Sequence, residues 1–175
     1  MIKVNENIIL KPISEKDTEF IIESRNEKDI YLTSFSNFPF YDFQHRKWLN
    51  NASNILDYVI YYNNEKSGRI NISNIDFQNQ KGEYGIFIIK KYRGLGIAFK
   101  ASKTLIDFTF SNLNINKIYL KVFSDNIKAI RLYEKLGFEK EGVLKKEIYK
   151  NGEFKDVIIM AIFKEKWMKE NENSI

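Results

Sequence analysis

The sequence holds no cysteine among its 175 residues. Disulfides, cysteine–zinc sites, iron–sulfur clusters and thiol catalysis are therefore excluded. It holds 1 histidine, so a metal site built on several histidines is excluded, and a histidine triad would rest on His45 alone. With 2 prolines and 8 glycines it is neither collagen-like nor of low complexity. No apolar run reaches the roughly 18 residues that a membrane-crossing helix needs. The first ten residues include Lys3 and Glu6 and lack the apolar stretch of a signal peptide. A cytoplasmic setting, with no membrane partner, is the expectation. Charge of one sign is scarce: 28 basic against 23 acidic side chains leave +5. The basic residues lie interleaved with acidic ones, so no stripe points to nucleic acid. What is present is apolar matter, 43% hydrophobic and 15% aromatic. A chain of this length buries roughly 70% of its unfolded surface and builds its own core.

Periodicity divides the chain into short alternating elements. Residues 7–10 read as a strand halted by Pro12. Ser14 and Asp17 have the spacing of a helix-capping box, and Phe20, Ile21 and Ser24 follow at helical spacing. Residues 31–43 are aromatic-rich and irregular around Pro39, and residues 44–51 read as a short helix carrying His45 and Trp48. Residues 57–62, 67–75 and 82–89 read as three strands of an antiparallel meander. A basic glycine-containing loop over residues 90–96 precedes a helix marked by Ile97, Ala101, Leu105 and Phe108. Residues 117–123 alternate as a strand. A helix after Ser124-Asp125-Asn126 stops at Gly137, and Asn151-Gly152 marks the turn of a final hairpin. The fold class expected is α+β: a single domain over residues 1–175, a mixed sheet flanked by helices, with residues 164–175 as a polar tail that frays.

Two segments carry chemistry. In Lys91-Tyr92-Arg93-Gly94-Leu95-Gly96, glycines between a strand and a helix let backbone amides converge, and the helix start adds partial positive charge. That suits a phosphate-sized anion, with Lys90, Lys91 and Arg93 adding charge. The loop is not a Walker motif, because no Gly-Lys-Ser/Thr follows. It is not a dinucleotide fingerprint either, because Phe99 stands where the third glycine belongs. The second segment is Asn126-Ile127-Lys128-Ala129-Ile130-Arg131-Leu132-Tyr133-Glu134-Lys135-Leu136-Gly137-Phe138. Taken singly, Asn126 reads as a cap and Tyr133 as packing.

Taken together, the two segments strongly resemble the GNAT superfamily of acetyl-CoA-dependent N-acetyltransferases, over nearly the whole chain. The one departure is Lys91 in the first place of the loop motif. The resemblance implies a splayed sheet, acetyl-CoA as co-substrate and no metal. It implies that Ile86, Phe87 and Ile88 flank the pantetheine arm. The pyrophosphate would rest on the amides of Arg93, Gly94, Leu95, Gly96, Ile97, Ala98 and Phe99, with Asn126 and Lys128 on the cofactor's far side. A neutral amine would attack the thioester directly, with a strand amide near Phe87 polarising the carbonyl. Tyr133 would protonate the departing thiolate, and Glu83 is the candidate base, directly or through water.

The acceptor is less legible. Residues 110–114, 141–144 and 150–157 resemble three subfamilies: spermidine acetyltransferases, ribosomal-protein N-terminal acetyltransferases and acetyltransferases of nucleotide-linked amino sugars. Arg25-Asn26 and the stretch from Tyr31 to Trp48 look most like the amino-sugar group, with Phe38, Phe40, Arg46 and Lys47 for base stacking and diphosphate. A small amine such as a nucleotide-linked amino sugar is the expectation. A polyamine, for which Asp29, Asp42 and Glu83 are available, or a protein N-terminus is the alternative. A non-catalytic acetyl-CoA sensor is the rival class. Dimers are common among similar proteins, and no residue here requires one.

Overall fold

Period-two alternation sorts the strands into two faces, and the faces decide where each helix packs. The computed structural model describes residues 1–36 and 39–172, so Phe38 lies outside the described residues. Among these the strands are β1 (Ile2–Lys3), β2 (Ile8–Pro12), β3 (Leu56–Tyr62), β4 (Glu65–Asp76), β5 (Lys81–Ile88), β6 (Lys117–Phe123), β7 (Glu139–Lys150) and β8 (Glu153–Phe163). They form one sheet in the order β1-β2-β3-β4-β5-β6-β8-β7. Only β5 and β6 run parallel. The helices are α1 (Thr18–Asn26), α2 (Lys28–Thr33), α3 (Asp42–Asn51), α4 (Ile97–Asn112), α5 (Ile127–Lys135) and α6 (Lys164–Glu172).

Even-numbered side chains of the meander, such as Tyr58, Ile60, Ile70, Ile72 and Tyr84, join the core with Ile97, Ala101, Leu105 and Phe110 of α4. Tyr133 of α5 and Trp167 of α6 enter the same cluster. Odd-numbered residues face the other way, toward α1–α3: Arg69 of β4 lies with its guanidinium 4.5 Å from the Trp48 ring. The expected elements are present, with additions. The amide of Ser14 donates to Asp17 Oδ2 at 2.9 Å, as the capping spacing predicts. Asn151 and Gly152 both take positive φ at the last hairpin. The irregular stretch begins with α2. The expected frayed tail is instead α6 over residues 164–172. Trp167 is only 3% exposed, packs on Phe110 and donates from Nε1 to Asp107 at 3.3 Å. One buried indole outweighs the polar composition around it.

Candidate active site

β5 and β6 pair only where Lys81–Glu83 meets Lys117–Tyr119. Beyond that β6 stays with β8 along its whole length, and the two parallel strands part. The Ile89 amide donates to the Ser67 carbonyl at 3.0 Å, which sets the phase of the β4–β5 ladder. Odd-numbered residues of β5 therefore spend their backbone groups on β4, while those of Tyr84, Ile86 and Ile88 face the gap. The amide expected near Phe87 is thus not that of Phe87 itself. Its two neighbours turn their amides to the gap, the Ile88 carbonyl being taken by Arg93, and Phe87 lines the cleft described below.

At the far end of β5 the glycine loop opens outward. Gly94 has φ +82° and Gly96 φ +72°, a region that disfavours side chains, and a Cβ on either would meet no atom within 4 Å. Gly96 caps α4 with no side-chain bond, so among the described residues the amides opening this 16-residue helix have no protein acceptor there. Gly94, Leu95, Gly96, Ile97, Ala98 and Phe99 thus lie on the open loop and the first turn of α4, with no partner for their amides among the described residues. Arg93 differs: its amide donates to the Lys90 carbonyl at 3.3 Å, its Nε to the Ile88 carbonyl at 2.9 Å, and its Nη1 to Asp29 at 3.0 Å. Lys91 is likewise paired, with Glu65 at 2.5 Å. What the loop offers an anion is therefore backbone amides and a helix start, with Lys91 and Arg93 turned to carboxylates.

A cleft of about 340 Å³ continues from the gap on the α1–α2 side. Arg69, Asn71, Ser73, Glu83, Gly85 and Phe87 line it from the sheet. Arg25, Ile30 and residues 33–36 line it from the helices, and Tyr84, Lys121 and Tyr133 stand at the gap. Tyr133 is 8% exposed, and its ring packs edge-on to Tyr84 (5.9 Å) and against Phe138 (6.1 Å). Among the described residues its hydroxyl has no hydrogen-bond partner, and burial pushes its pKa up to about 12. Glu83 is half-buried and accepts from Asn74 Nδ2 at 2.9 Å and from the Tyr119 hydroxyl at 3.4 Å. The two expected catalytic groups thus share one cleft.

Other expected residues fall elsewhere. Asn126 caps α5, accepting from the Ala129 amide at 3.3 Å. It and exposed Lys128 line a separate hollow with Leu32 and Lys155. Arg46 pairs with Asp42 at 2.7 Å, and Lys47 lines another hollow beside Trp48, so neither reaches the cleft. His45 is 0% exposed and stacked on Trp48 at 5.6 Å, and among the described residues neither ring nitrogen finds a partner. Trp48 itself is half-buried. The cleft's cations are instead Arg25, part of the Arg25-Asn26 signal, Lys121 at the gap, and Arg69, which sequence reasoning missed. Its available signal was an arginine amid apolar β4 residues, in register near Asp57 of β3.

An unpaired strand edge, leading from open loop amides to a buried tyrosine hydroxyl, fits an elongated molecule with a diphosphate at one end, as acetyl-CoA is. Among the described residues no group of three or more His, Asp and Glu stands close enough to hold a metal. A family profile described as the acetyltransferase (GNAT) domain matches residues 7–139. The chain is 30% identical over 171 residues to spermidine N(1)-acetyltransferase of Escherichia coli K12, covering 95% of this chain and 91% of that protein. It is 26% identical to the L-amino acid N-acetyltransferase AaaT of the same strain, covering 88% of this chain and 96% of that one. A crystal structure of spermidine N-acetyltransferase from Vibrio cholerae in complex with CoA and spermine superposes with a TM-score of 0.84 at 29% identity, over 94% of this chain and 99% of that one. With that fold, that gap and a profile match over most of its length, the chain belongs to the GNAT family and is an acetyl-CoA-dependent N-acetyltransferase.

Proposed function

We propose that this chain acetylates a small primary amine held in the cleft between α1–α2 and β4–β5. The observation that carries this is the meeting of three features at one point: the unpaired edge of β5, the Tyr133 hydroxyl and the cleft mouth at Glu83. Acetyl-CoA supplies the activated acetyl group. The amides of residues 94–99 bind its pyrophosphate, and the gap-facing amide of Ile86 or Ile88 polarises the thioester carbonyl. The amine loses its proton to Glu83, directly or through water, and attacks. Tyr133 stays protonated at neutral pH and donates to the sulfur.

The relatives' names support a polyamine acceptor better than the nucleotide-linked amino sugar that the sequence suggests, since a spermidine enzyme aligns over 95% of the chain. Arg46 and Lys47, the basis of the amino-sugar reading, also stand away from the cleft. One observation favours acceptors of another kind, the arginine lining of the cleft, and the AaaT relative is named for an anion-bearing substrate. Free-thiol release from acetyl-CoA tests the reading. Turnover is expected with at least one of spermidine, spermine, amino acids, N-terminal peptides or a UDP-linked 4-amino sugar. Tight acetyl-CoA binding with no turnover on any would favour a sensor. Light scattering in solution decides whether the chain dimerises.

A further inference from the structure

The acceptor cleft is lined by two guanidinium groups, with Lys121 at the gap and the Asp57 carboxylate beside the arginines. Arg69 and Asp57 form a buried two-pronged pair, Nε to Oδ1 at 2.8 Å and Nη2 to Oδ2 at 2.5 Å. That geometry commits both oxygens of Asp57 to Arg69. Arg25 stands at the end of α1, lines the same cleft and is half-buried. Among the described residues it makes no hydrogen bond and no ion pair. Its guanidinium lies 4.0 Å from the Phe40 ring centre, a contact that holds the cation without neutralising it. Asn26 fixes that platform, bonding the Phe40 carbonyl at 2.9 Å and its amide at 2.8 Å.

Asp57, already held by Arg69, attracts Arg25 through space without an ion pair to it. Arg69 repels Arg25, and so does Lys150 from the β7–β8 hairpin. His45, buried in the same cluster, is neutral near pH 7. Burial pulls the Arg25 pKa down to about 10, so the group is still charged at neutral pH. A desolvated cation without an anion is costly, and structures keep such groups paired. Here the missing partner's place is open cleft.

We infer that Arg25 is a specificity residue that receives an anionic group of the acceptor, a carboxylate or a phosphate, while Glu83 attends the reacting amine. This rests on the cleft being the acceptor site. The two signs lie apart along β4: Arg69 lines the cationic end, and Ser73, paired with Glu83, lies four residues further, about 13 Å at strand rise. The acceptor is then amine at one end and anion at the other. A polyamine has no such anion and sets its ammonium groups against two arginines.

Binding to the CoA-loaded protein, read by calorimetry, tests this without needing turnover. The probes are UDP for a phosphate, L-glutamate for a carboxylate and spermidine for a cation alone. At least one anionic probe should bind, Arg25→Gln should weaken it by about tenfold or more, and Arg25→Lys should retain part of the affinity. Which probe responds identifies the anion. Spermidine affinity should hold or rise in Arg25→Gln. The inference is overturned if neither anion shows Arg25-dependent binding, or if wild type binds spermidine best and Arg25→Gln weakens it. It is also overturned if all ligands, CoA included, weaken together, the mark of a structural residue. Loss of the broader reading shows separately, as wild type that fails to bind acetyl-CoA or to release thiol from it.

Discussion

At the residue scale, Tyr133 and His45 show how burial changes what a titratable group does. Tyr133, raised to about 12 by burial, stays protonated across the neutral range. Tyr133→Phe should lower kcat roughly 100-fold or more, with acetyl-CoA affinity unchanged by calorimetry. Equal turnover would remove it from the acid role. His45 goes the other way: burial, then Arg69 and Arg25, lower its pKa from 6.5 to about 4. The unfolded chain takes the proton near 6.5 and the folded one only near 4. Stability from this site is therefore whole above about pH 6.5 and lost as pH falls through about 4, at no more than about 1.4 kcal/mol per unit. His45→Phe keeps a ring between Trp48 and Phe40, and should flatten this part of the thermal-midpoint profile on acidification; an unchanged slope would exonerate His45. Gly94→Val sets a branched side chain at φ +82° where the apo fold has room. Acetyl-CoA affinity should fall more than tenfold while the fold persists, and normal affinity would sink the loop assignment.

At the element scale, what was legible follows from what is local. The meander, α4 and α5 announce themselves by period and by their glycines. α6 does not, because one tryptophan among charged residues carries its packing. Trp167→Ala should cost about 3–5 kcal/mol in denaturant unfolding, the usual range for a buried indole; a loss near zero would mean that the tail does fray. The β7–β8 hairpin hides a second role. Buried Lys150 donates to the carbonyls of Ser34 and Ser36, both at 2.8 Å, and lies over Tyr31. It ties the hairpin to the loop that forms one wall of the cleft. Lys150→Met should raise the acceptor KM several-fold and leave the acetyl-CoA KM unchanged. A matched rise in both would place the effect on the fold.

At the scale of the whole molecule, the sheet brings the glycine loop and the arginine-lined cleft to either side of one parting of strands. Sequence by itself determined the family, the order of elements, the glycine loop and the Tyr133 helix, because each is written in contiguous residues through period, capping and backbone freedom. The acceptor was not legible that way. Arg46 and Lys47 sit beside aromatic residues in sequence, yet helix α3 turns them away from the cleft. Arg25, Arg69 and Glu83 come from α1, β4 and β5 and share it. Asp57 forms its ion pair with Arg69 on the neighbouring strand and reaches Arg25 only through space. Only the tertiary structure decided this, since which charge neutralises which depends on distances between segments far apart in the chain, and electrostatic energy in a desolvated cleft follows those distances rather than composition.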